Sequence, residues 1–217
     1  MGAVPHPLRL TLPPVEPRRT QAERRAETER RLIDATMEII ASDGVRAVTM
    51  ASVGEAAGYS RGIVNHQFGT REGLMTAVAK TAQARFSPVT GGVRGRERVL
   101  SDVAAYLAAL RTGARDASVF LRLWIAAIGG EEPGLRDVFV ARDAFFREHV
   151  AAAVLEGIED GTIRADVDPA AAAFAIVGQL RGISLQLQLA PDAVDLDALS
   201  AELHGWLDRA LRHPQNP

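Results

Sequence analysis

Apolar residues recur along this chain at spacings of three and four, the signature of helices buried on one side. No run of alternating residues reads as a strand. From residue 21 to 42 the periodic positions are Leu32, Ala35, Ile39 and Ile40, and Gly44 supplies a stop. The charged half of that segment interleaves arginines with Glu23, Glu27 and Glu29. It reads as a solvated helix end laced by i,i+4 pairs, or in part as a phosphate-binding surface.

Thr49 is a good N-cap for a short helix, MASVGEAA, with Val53, Ala56 and Ala57 as its apolar stripe and Gly58 as its C-terminal glycine. Ser60 then caps a second short helix, RGIVNHQF, on which Val64 and Phe68 share one side. Thr70 caps a fourth segment, REGLMTAVAKTAQARF. Helical patterns continue in RERVLSDVAAYLAALRT, in the almost wholly apolar SVFLRLWIAAIG and in LRDVFVARDAFFREHVAAAVLEGIEDG. Pro169 suits the first turn of AAAAFAIVGQLRGISLQLQL, and DLDALSAELHGWLDRALRH closes the chain. The expectation is an all-α protein of about nine helices.

Composition narrows the function classes. At 217 residues the chain is long enough for one large domain or for a small one plus a medium one. It has no cysteine, which removes disulfides, thiolate metal sites and cysteine nucleophiles. Neither a leader peptide nor an apolar run of 18 residues stands out, so a cytoplasmic location without membrane contact is expected. Residues 1–19 hold five of the eleven prolines and read as a flexible arm, whose Arg18 and Arg19 either reach a minor groove or stay unengaged.

The net charge of -2 hides an asymmetry. Residues 1–86 carry 12 Lys+Arg against 9 Asp+Glu, and residues 87–217 carry 13 against 18. The first part tolerates a polyanion and the second repels one. The mild excess suits a small specific footprint more than indiscriminate coating of DNA.

One string competes with a nucleic-acid reading. Gly58-Tyr59-Ser60-Arg61-Gly62 fits the G-x-S-x-G pattern of a hydrolase nucleophile elbow. An elbow needs a buried strand leading into the serine, and here the preceding segment is short, Ala-rich and helical. No metal-ligand spacing and no phosphate-binding glycine loop accompanies it, and no cofactor is implied.

Two short helices joined by a glycine turn form a helix-turn-helix, whose second helix presents its N-terminal residues to base edges in the major groove. The stretch VRAVTMASVGEAAGYSRGIVNHQFGTREGLMTAV resembles the N-terminal DNA-binding domain of the TetR (tetracycline-repressor) family. That family's pattern runs T-x-x-x-I-A-x-x-A-G-V-S-x-G-x-L-Y-x-H-F-x-x-K-E-x-L. Thr49, Val53, Ala57, Gly58, Ser60, Gly62, Val64, Phe68, Glu72 and Leu74 stand where it wants them, and the match covers roughly residues 28–80.

The resemblance implies a flexible arm over 1–19, a three-helix DNA-binding domain over 20–80, and a larger helical ligand-binding and dimerisation domain over 81–217. It also implies roles. Thr49 would bond a phosphate at a helix N-terminus. Arg61 and Gly62 would open the recognition helix, with Gly62 allowing close backbone approach. Ile63 would meet a thymine methyl or serve as a partly buried wedge. His66 and Arg71 would contact phosphates.

Two departures bear on specificity. Asn65 replaces the family's usual tyrosine and would bond a phosphate, read adenine or face solvent. Gly54 replaces the usual alanine, at a cost of up to about 1 kcal/mol in helix stability.

In the C-terminal part the resemblance implies a cavity for a small-molecule effector. Its candidate lining residues are Tyr106, Phe120, Arg122, Trp124, Phe145, Phe146 and Gln179, any of which would serve equally well as packing. Phe139 and Phe174 add to the aromatics, and Arg181 and Gln186 to the polar candidates. The absence of a charge-rich pattern points to an uncharged or aromatic ligand. Homodimerisation through 169–212 would place two recognition helices on a double-stranded DNA operator about 34 Å apart. The function so implied is a ligand-released repressor; the alternatives are a constitutive DNA-binding protein and a serine hydrolase using Ser60.

Overall fold

The computed structural model describes residues 20–84 and 92–213, so the expected arm over 1–19 lies outside the described residues. These residues form nine α-helices and two short 3-10 turns. They contain no strand; a single bridge joins Ile163 to Arg212.

Helix α1 spans Gln21–Asp43, and Thr20 opens it with a capping box closed by Glu23. Its solvated end carries the expected ladder, in which Glu27 bonds both Arg30 and Arg31. Those two guanidiniums hold the Glu27 carboxyl below the usual range. Helices α2 (Met50–Ala57) and α3 (Arg61–Phe68) flank a turn in which Gly58 takes the left-handed conformation, φ 75°. Helix α4 covers Arg71–Ala84.

Beyond it, α5 (Gly95–Thr112) and α6 (Ala114–Ile128) are separated by Gly113 alone. Helix α6 therefore begins four residues earlier than the apolar run SVFLRLWIAAIG suggests, because Ala117 and Asp116 are also buried. A tight turn at Pro133–Leu135 leads into the long α7 (Arg136–Glu159). Helix α8 (Pro169–Leu189) begins on Pro169 with Asp168 as its N-cap, and α9 is Leu196–Leu211.

Two apolar cores result. The first joins Leu32, Ile40, Val53, Val64, Leu74 and Val78 of α1–α4 to Val119, Phe120 and Leu123 of α6, Leu135 of the Pro133 turn and Phe139 of α7. It therefore crosses residue 80, and α1–α4 share a hydrophobic interior with α6 and α7. The second is built from α5, α7, α8 and α9 around Val99, Leu107, Val154, Ile176, Leu203 and Leu207.

Candidate functional site

Thr49 caps α2 reciprocally with Ser52: its hydroxyl accepts from the Ser52 N–H at 2.9 Å, and its own N–H donates to Ser52 Oγ at 3.0 Å. Gly54 is buried and faces the turn. A Cβ there would stand 2.8 Å from the Tyr59 carbonyl oxygen and 3.1 Å from the Ser60 carbonyl carbon. The turn is closed by Tyr59 N–H donating to the Gly54 carbonyl at 2.7 Å. The glycine is thus needed for the close approach of α2 to the turn.

Val64, fully buried, anchors α3, and Gln67 ties that helix to α1 by donating to Glu29 at 2.9 Å. The opposite face is open. Arg61, Gly62, Asn65 and His66 are exposed and Ile63 is 43% exposed. Among the described residues no hydrogen bond or ion pair occupies the side chains of Arg61, Asn65 or His66. At Gly62 the only atom near a built Cβ is Ser60 Oγ, 3.6 Å away, so nothing within the fold requires a glycine. Ser60 occupies the N-cap position, yet its hydroxyl makes no capping bond.

Arg71 lies at the start of α4, and most of its donors are spent inside the protein. Nε donates to the Val48 carbonyl at 2.8 Å, Nη2 to the Val45 carbonyl at 3.2 Å, and Nη1 to the Glu132 carboxylate at 2.8 Å. Next to it, Arg46 pairs with Glu131 at 2.9 Å. Glu131 and Glu132 sit between α6 and α7, so one acidic turn grips two arginines that flank α2.

The interior between α6, α7 and α8 holds a polar cluster. Arg181 of α8 is 7% exposed; it donates to Asp143 of α7 at 2.9 Å and to the Tyr106 hydroxyl at 3.2 Å, and its guanidinium lies 4.5 Å from the Phe120 ring centroid. Tyr106 also bonds Ser184 at 2.9 Å, and the Trp124 indole N–H donates to the second oxygen of Asp143 at 3.3 Å. Arg142, the neighbour of Asp143, donates to the Gln83 carbonyl at the end of α4 and lies 4.2 Å from the Phe146 ring centroid. Burial, then the like charge of Arg181, pushes the Arg142 guanidinium down to about 10, while Asp143 acts the other way. A cleft of about 210 Å³ lined by Trp124, Phe139, Asp143 and Arg147 opens beside the cluster.

A groove of about 470 Å³ runs between α8 and α9 past Gln179, Ile183, Leu203 and Trp206. On these two helices Phe174, Leu189 and the groove-lining Trp206 are 68%, 88% and 56% exposed. By length and composition α8 is apolar enough to cross a bilayer, but one face of it packs on α7 and carries the buried Arg181.

Comparison with known proteins matches this arrangement. Residues 32–78 match the model of bacterial regulatory proteins of the tetR family, and residues 95–212 that of the C-terminal part of BetI-type transcriptional repressors. The chain belongs to the TetR family. It is a DNA-binding transcriptional regulator of the BetI-like type. Among its relatives, the regulator CymR of Pseudomonas putida is 29% identical over 180 residues, covering 78% of this chain and 83% of CymR. A BetI regulator of Pseudomonas aeruginosa is 28% identical over 188 residues, covering 83% and 91%.

The fold is shared with TetR-type structures. NalD, the secondary repressor of the MexAB-OprM multidrug efflux pump in Pseudomonas aeruginosa, superposes with a TM-score of 0.71 at 16% identity, covering 89% of this chain and 100% of NalD. A transcriptional regulator from Saccharomonospora viridis, solved in complex with choline, gives 0.74 at 18% identity, covering 86% and 98%.

Within this TetR-family frame, strand-borne geometry for Ser60 is missing, because α2 and the Gly58 turn precede it. The seven residues named from sequence as effector contacts do not converge. Tyr106, Phe120 and Trp124 gather around Arg181 and Asp143, and Phe146 stacks on Arg142. Phe145 is half exposed, and Gln179 lines the α8–α9 groove. Arg122 lies exposed in a separate shallow cleft with Arg46 and Glu131.

The sequence reading passed over Arg142, Asp143, Ser184 and Gln83. A signal for the first two was present: they follow Phe139 by three and four residues and precede Phe146 by four and three, so all four positions share one helix face. The expectation of an uncharged or aromatic ligand draws on the absence of a charge-rich pattern, and this cluster encloses charged side chains.

Proposed function

We propose that this TetR-family regulator is a homodimeric repressor whose operator binding is relieved by a small effector held in the interior of its C-terminal part. The open face of α3 is the observation that carries the DNA-reading half of the proposal. Arg61, Ile63, Asn65 and His66 are exposed together on a helix anchored from behind by Val64, and Gly62 has no packing reason to be a glycine. Thr49 brings the N-terminus of α2 to a phosphate, and Ile63 and Asn65 meet base edges. Arg71 acts by fixing α4 against the Glu132 turn, since most of its donors are already committed there. It is a positioning residue in this reading.

Dimerisation uses α8 and α9. Their exposed Phe174, Leu189 and Trp206 form the kind of apolar surface that monomers rarely leave uncovered. Two-fold pairing there gives the symmetric spacing that a palindromic operator requires. Relief by an effector follows from the shared core: a ligand that favours one packing of α6 and α7 shifts the reading helices only by its differential affinity for the two arrangements.

The test is selection of random duplexes by the purified full-length protein at physiological salt, followed by sequencing. Recovery of a two-fold symmetric site is the expected result. Enrichment of single half-sites would remove the dimer from the proposal, and retention without sequence preference would favour a non-specific DNA-binding protein.

A further inference from the structure

The interior cluster has an uneven charge and an uneven hydrogen-bond balance. Two guanidiniums, Arg142 and Arg181, lie with one carboxylate, Asp143, whose two oxygens are already taken by Arg181 and the Trp124 indole. Among the described residues, Arg181 Nε and the side-chain amide nitrogen of Gln83 are buried without a hydrogen-bond partner. Gln83 is 7% exposed, and its backbone carbonyl is the atom that holds Arg142. Both orphans are donors. A buried donor without an acceptor is unfavourable, and an uncompensated buried charge more so. What the cluster lacks is therefore an acceptor that carries negative charge.

We propose that the effector of this regulator is a small organic anion, a carboxylate on an apolar or aromatic body, bound at Arg181, Arg142 and Gln83. This rests on the effector-responsive reading given above and specifies its ligand. A carboxylate suits the planar fork of a guanidinium, and each unused donor calls for an acceptor oxygen. The remaining surroundings are aromatic, from Phe120, Phe139, Phe146 and Trp124, and the adjoining cleft of about 210 Å³ limits the body to roughly one ring or a short chain. A quaternary ammonium needs the opposite: aromatic faces turned to the ligand with no cation on them. Here Arg181 already lies against Phe120 and Arg142 against Phe146.

The experiment is calorimetric titration of the full-length protein with sodium acetate, butyrate, benzoate and phenylacetate. Benzamide, phenylacetamide and choline chloride serve as neutral and cationic counterparts at constant ionic strength. At least one carboxylate with an apolar body should bind, at least tenfold tighter than its amide. Arg142→Gln, which is partly exposed and should fold, should weaken that binding at least tenfold. Asp143→Asn adds net positive charge and should tighten it, an opposite response that loss of packing would not give.

Binding of choline with no carboxylate bound, equal binding of acid and amide, or an Arg142→Gln protein that binds as well as wild type would each overturn the proposal, as would failure of every carboxylate. Displacement of a selected operator duplex is read separately. A carboxylate that binds without releasing DNA leaves the anion site standing and removes the effector-release reading. Release by the amide or choline does the reverse.

Discussion

Two glycines of the reading domain differ in what they do. Gly54 sits in a helix, where alanine is normally better by about 1 kcal/mol, yet a methyl group there would press on the backbone of Tyr59 and Ser60. Backbone cannot yield as a side-chain tip can, and overpacking costs about 1–3 kcal/mol. Gly54→Ala should therefore lower stability by about 1–2 kcal/mol in denaturant melts; an increase would mean that the turn relaxes. Gly62→Ala has room, so its melting temperature should stay level or rise, while operator affinity falls at least about tenfold, or about 1.4 kcal/mol, because the added methyl stands between α3 and the groove. Unchanged affinity would remove α3 from the interface as drawn. Ser60→Ala, at an N-cap whose hydroxyl is unused, should cost well under the roughly 1 kcal/mol of a typical cap.

Among elements, the acidic turn between α6 and α7 and the face of α8 and α9 invite direct tests. Arg71→Ala removes a link to Glu132 and two carbonyl contacts. It should lower both stability and operator affinity while leaving the salt dependence of binding unchanged. A slope flatter by about one unit would instead mark a phosphate contact. Trp206→Glu places a charge in the α8–α9 groove, and sedimentation should then show monomer without loss of helicity. Persistence of a dimer would move the interface elsewhere.

Across the whole molecule, the first apolar core is the route that the proposed effector response would take from ligand to DNA. Val53 and Val64 of the reading helices and Phe120 and Phe139 of α6 and α7 belong to one packed cluster. Phe120 is also the ring under Arg181. Packed interiors rearrange between discrete arrangements and do not deform smoothly, so under the proposed effector response a change at Arg181 would reach the turn before α3 through contacts of this kind. Hydrogen exchange should therefore show protection changing in α4, α6 and the Pro133 turn together when an effector binds. A change confined to α7 and α8 would argue against coupling through the shared core.

Much of this was legible in the residues themselves. Caps at Thr49 and Thr70, the left-handed Gly58, Pro169 at a helix start and the 3.6-residue stripes are local features, set by backbone geometry and nearest neighbours, and they fixed the helices and the reading motif. The interior cluster was not legible in the same way. Arg142, Asp143, Arg181 and Gln83 come from three helices far apart in the chain, and a charged residue on a helix looks the same in sequence whether it meets water or a partner. The engagement of Arg71 with Glu132, 61 residues away, and the exposure of Arg122 were likewise settled by packing alone. Periodicity reports which face of a helix is apolar; which helices that face meets, and so which charges are enclosed together, depends on how the chain closes in space.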